Sequence, residues 1–124
     1  MATSTRRRWK SVERAIARFL GGEREPVSGR QCGYRPDVSH GTLAIECKSW
    51  ARLPERVREA LEQAERAAEW AARRGEPGKL PIAVIHGGRS RMCKALVVMR
   101  LEEFVGRFGE QLGCTTGSED EEVA

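Results

Sequence analysis

Arg35-Pro36-Asp37, followed after a short gap by Ile45-Glu46-Cys47-Lys48, decides how this chain reads. The run Leu43-Ala44-Ile45-Glu46-Cys47-Lys48 alternates with a period of two. Leu43, Ile45 and Cys47 share one face of an extended strand, and Ala44, Glu46 and Lys48 share the other. In the run before it, Tyr34 and Val38 take the apolar side, with Arg35 and Asp37 opposite. Gly41-Thr42 lies between the two runs and suits a two-residue type II′ turn. Such a turn pairs residues whose numbers sum to 83, so Val38 faces Ile45, Asp37 faces Glu46 and Arg35 faces Lys48. Two carboxylates pressed together repel unless a divalent cation joins them.

Oxygen-rich ligand sets of this kind hold Mg²⁺, or Mn²⁺ in its place, and such ions bind phosphate oxygens as well. Lys48, one strand step beyond Glu46, is placed to orient or help deprotonate a water, or to offset charge on a phosphorane. A plain surface hairpin can also carry Asp, Glu and Lys on its wet face. The apolar and β-branched neighbours of Glu46 favour a central strand instead, where idle charges are costly.

Taken together, Pro36-Asp37, the Glu46-x-Lys48 triplet and the short gap resemble the PD-(D/E)xK nuclease superfamily. The similarity is closest to the archaeal-type Holliday junction resolvases, including versions carried by phages. Glu13-Arg14 matches the helical glutamate of that branch, Val27-Ser28-Gly29-Arg30 its strand before the aspartate, and Gln63 its following helix. The resemblance spans roughly residues 8 to 108. It implies a mixed central β-sheet flanked by helices, a restriction-endonuclease-like α/β core. It implies catalytic roles for Glu13, Asp37, Glu46 and Lys48. Metal would be held by Asp37, Glu46 and the Cys47 carbonyl, with Glu13 direct or through water. The implied substrate is a four-way DNA junction, nicked in pairs by a homodimer.

Composition agrees with a polyanionic partner. The formal charge is +4, and removing the acidic run Glu119-Asp120-Glu121-Glu122 leaves 22 basic against 14 acidic side chains, about +8. Arginine supplies 18 of those 22, which favours forked contacts to phosphate. The expected DNA contacts are Arg6, Arg7, Arg8, Arg14, Ser28, Arg30, Arg35, Gln63, Arg89 and Arg91. Coding bias or a thermophilic source would also enrich arginine. Cys32, Cys47, Cys93 and Cys114 form no C-x-x-C pair, so no zinc site is expected and Cys47 should point inward. No apolar run reaches membrane-spanning length and no signal-peptide core follows Met1, so a reduced cytoplasmic setting is the expectation.

The expected element order is α-β-β-β-α-β-β-α. A single domain over residues 1–112 begins with a basic flexible arm at 1–7 and ends in an acidic, disordered tail at 113–124. Helices are read at 8–20, 54–74 and 101–112, and strands at 26–30, 32–38, 42–48, 81–85 and 94–99. Trp9, Val12, Ile16, Phe19 and Leu20 make the first apolar stripe, with Glu13 on its border. Val57, Leu61, Ala64, Ala68 and Ala71 make the second, and Leu101, Phe104, Val105 and Phe108 the third. His86-Gly87-Gly88-Arg89-Ser90-Arg91 reads as a peripheral DNA contact on a flexible connection, with no nucleotide-binding pattern. His40 and His86 read as loop-end residues. Trp50 and Trp70 either stack on exposed bases or serve packing or a dimer surface. Two other functions fit the chain: another nuclease on the same core acting on duplex or branched DNA, and a basic DNA-binding protein without catalysis.

Overall fold

Nothing from Ala2 to Leu20 breaks a helix, and Gly21-Gly22 then ends it. The protein is described by a computed structural model covering residues 2–25 and 36–114, with side chains from Trp9 onward. Helix α1 runs Ala2–Leu20, so residues 2–7, read above as an arm, are helical. The other helices are α2, Glu55–Arg73, and α3, Leu101–Leu112. All three end alike. Gly21, Gly75 and Gly113 take φ of 74°, 89° and 73°, and the next residue's N–H returns to the carbonyl of Ala17, Ala71 or Gly109. This is the Schellman closure, which satisfies carbonyls left over at a helix end.

Two compact units divide the chain, one comprising residues up to Ser49 and from Phe104 on, the other Trp50–Glu103. In the first, β1 (Glu23–Arg24) pairs antiparallel with β2 (Val38–Ser39), Arg24 opposite Val38. An isolated antiparallel bridge joins Val38 to Ile45, the register expected from the sequence. Two small apolar clusters hold this unit together. Ala17, Val38 and Cys47 pack as one; Leu20, Val105 and Cys114 form the other. Cys114 therefore belongs to the packed unit, which reaches past the boundary drawn at residue 112.

Gly22 shows how closely these elements approach. A Cβ there would land on the Ser39 carbonyl oxygen and within 2.8 Å of Val38 Cγ1. Backbone cannot move aside cheaply. Gly22→Ala is expected to lower stability by about 1–3 kcal/mol, measured by urea unfolding. An unchanged midpoint would show that α1 and β2 are not locked together here.

In the second unit, α2 packs on β3 (Ala83–Ile85), which pairs antiparallel with β4 (Leu96–Val98). Leu61, Ala71 and Ala83 are buried, as the small-residue stripe requires. The Arg100 guanidinium grips both Glu65 oxygens at 3.0 and 3.1 Å. Those hydrogen bonds hold the Glu65 carboxyl below its usual range.

The mixed α/β class and the positions of α2 and α3 follow the sequence reading. The single central sheet does not: among the described residues there are two separate antiparallel sheets of two strands each. The strand expected at 26–30, and most of 32–38, lie outside the described residues. Within 42–48 only Ile45 is bridged, and Gly41 lacks the positive φ of a type II′ turn. Instead, Thr42 N–H donates to His40 Nδ1, and the Thr42 hydroxyl donates to the Leu112 carbonyl. Leu101 and Trp9, assigned to inward stripes, are exposed.

Candidate functional site

Asp37 and Val38 both donate their N–H groups to the Ile45 carbonyl, at 3.0 and 3.4 Å. Two residues thus oppose one, the mark of a β-bulge, which re-aims the side chain of the extra residue. The bulge corrects the expected pairing of Asp37 directly with Glu46. Asp37 Oδ2 instead accepts the Cys47 N–H at 2.7 Å, doing with a side chain what a backbone rung would otherwise do. Beyond Ile45 the expected alternation holds. Cys47 is buried at 1%, while Ala44, Glu46 and Lys48 are exposed.

Glu13 reaches the same place from α1. It is 9% exposed, the buried acid among the described residues, and Arg24 of β1 donates Nε–H to its Oε2 at 2.6 Å. Sequence reasoning missed Arg24. The available signal was parity: in Glu23-Arg24-Glu25 the arginine takes the face opposite both acids, inward from a short strand. Lys48 Nζ lies 5.9 Å from the centroid of the Trp9 ring, which accounts for the exposed indole on α1.

The Cys47 thiol is buried among negative charges. Burial first, then the negative charges of Asp37, Glu13 and Glu46, push it from 9.0 up to about 11. Asp37 is the acid in direct contact with this residue, through the Cys47 N–H, while Glu46 points to the exposed side of the segment. Folding favours the neutral thiol, so this contribution to stability is complete below pH 9 and fades as pH rises toward about 11. Near neutral pH, a thiol reagent is expected to modify exposed Cys93 quickly and to reach buried Cys47 and Cys114 only in denaturant. Peptide mapping after brief labelling checks this; rapid modification of Cys47 would mean that its pocket opens freely.

As hard oxygen donors, these carboxylates fit a divalent cation in chemistry. They do not stand as a closed cage: among the described residues no three Asp, Glu, His or Cys side chains are grouped to hold an ion. Arg24 on Glu13 and the Cys47 N–H on Asp37 take up oxygens that a cation would need.

The remaining expected residues distribute as follows. Arg14 is exposed on α1. Gln63 on α2, and Arg89 and Arg91 in the loop before β4, are exposed in the second unit. Arg6, Arg7 and Arg8 have helical backbone, their side chains outside the described residues; Ser28, Arg30 and Arg35 lie outside them altogether. His86 ties its own loop through the Ser90 carbonyl, 2.6 Å from Nε2. No described helix is long and apolar enough to cross a membrane. No protein-family model, curated protein or solved structure matches this chain.

Proposed function

We propose that this chain is a Mg²⁺-dependent DNA endonuclease of the PD-(D/E)xK type, selective for branched DNA and above all for four-way junctions. The observation that carries the reading is the Asp37 carboxylate held on the Cys47 N–H, with Glu46 and Lys48 on the exposed side of that segment and Glu13 buried on α1. Asp37, Glu46 and the Cys47 carbonyl would hold the cation, with Glu13 joining directly or through water. When bound, the cation supplies polarisation of the phosphodiester and a more acidic water. Lys48 orients the attacking water and offsets charge on the phosphorane oxygens. The water oxygen bonds to phosphorus, the bond to the 3′ oxygen breaks, and the proton released ends on that oxygen. Exposed arginines contact the DNA backbone by shape more than by base. Two symmetric nicks call for two sites and hence a twofold homodimer.

Cleavage of a four-way junction, a flap, a Y-fork and a linear duplex, each with and without Mg²⁺, tests this reading. Paired symmetric nicks in the junction are the expected result. Equal cutting of all four substrates would point to a general nuclease. Binding without cutting at any Mg²⁺ concentration would leave a DNA-binding protein.

A further inference from the structure

Trp70, near the end of α2, is 59% exposed on the wall of a cavity of about 410 Å³ within the second unit. Ala64 and Ala68 of α2 line it on one side, and Leu80 and Pro81 on another. Alanines leave an apolar slot where larger side chains would have filled the space, and its volume is in the range of small-ligand sites. The Arg74 guanidinium lies 4.3 Å from the Trp70 ring centroid. Lys79 is a second cation on the wall, against one acid, Glu76.

We propose that this cavity takes an unpaired nucleotide of a nucleic-acid strand. The base stacks on the Trp70 indole above the alanine side, and the adjoining phosphates meet Arg74 and Lys79. Aromatic faces flanked by cations are how single strands are held without sequence preference, because every base offers a π face. A purely apolar partner would gain nothing from the two cations. A duplex keeps its bases covered and cannot enter. The site owes nothing to the carboxylates of the first unit, so it stands or falls apart from the nuclease reading.

The test uses the full chain without divalent metal. In a Trp9→Phe/Trp50→Phe variant Trp70 is the sole tryptophan, and a short single-stranded oligodeoxynucleotide is expected to quench its emission, whereas a duplex of equal length is not. On the otherwise unaltered chain, Trp70→Ala should weaken single-strand binding about 5- to 100-fold, while Trp70→Phe should keep most of it. Labelled-strand anisotropy measures this second pair, and it decides the matter even if the double variant misfolds. Unaltered affinity in Trp70→Ala overturns the proposal, as does equal quenching by duplex. A free mononucleotide competing as well as the strand would make this a metabolite pocket and also overturn it. Emission that shifts with protein concentration alone would assign the cavity to a second copy instead.

Discussion

Glu46→Ala is expected to reduce Mg²⁺-dependent junction cleavage by about 10³-fold, with junction affinity held or slightly improved. Glu46 is exposed and its removal opens no cavity, so the melting temperature should stay near that of the parent. Asp37 is a different case, because its carboxylate also accepts the Cys47 N–H. Asp37→Ala removes the proposed ligand and strands a part-buried donor, costing about 1–3 kcal/mol of stability besides activity. Asp37→Asn keeps a carbonyl oxygen for that N–H. It should lose cleavage with little loss of stability. The three variants together separate chemistry from folding. Unimpaired cutting by Asp37→Asn or Glu46→Ala would remove both residues from the reaction, whatever their effect on the fold.

Alternation in Leu43-Ala44-Ile45-Glu46-Cys47-Lys48 was enough to read the faces and the buried Cys47, whereas the Val38–Ile45 register was read from a type II′ turn at Gly41-Thr42 that the chain does not form. It could not show the bulge, because a period of two says which way a side chain points and not which N–H meets which carbonyl. Pro54 and Gly75 framed α2 for local reasons: one has no amide hydrogen to place, and the other adopts a left-handed φ that ends the helix. The apolar stripes were less reliable at their ends. Trp9 and Leu101 keep the helical period, yet period marks a face and does not supply a neighbour to cover it. Among the described residues the expected central sheet is not seen, for a related reason. The run at 81–85 was legible singly and forms β3 at Ala83–Ile85, while 42–48 keeps only the Ile45 bridge, because strand partners are set by contacts distant in sequence.

Arg24 and Glu13 belong to this non-local class, eleven residues apart and joined across α1 and β1. Their side chains keep only 20% and 12% of their exposure, so the pair is much drier than a surface ion pair. Removing one partner of a buried pair leaves the other charge uncompensated, and for this partly buried case about 2–3 kcal/mol is expected for Arg24→Ala. Replacing both with apolar residues of similar volume, Glu13→Leu with Arg24→Met, should cost far less, because neither charge is then left stranded. Urea unfolding of the two single variants and the double variant yields the coupling directly. The same arginine competes with any cation for the Glu13 carboxylate. Arg24→Ala should therefore bind a divalent ion, followed by calorimetry, several-fold more tightly even as the fold weakens, and Glu13→Gln should bind it less tightly. Opposite signs in metal affinity from two substitutions in one ion pair cannot come from general loosening, which would weaken both. If Arg24→Ala left stability and metal affinity unchanged, the link between α1, β1 and the proposed metal ligands would be lost, and Glu13 with it as a member of the site.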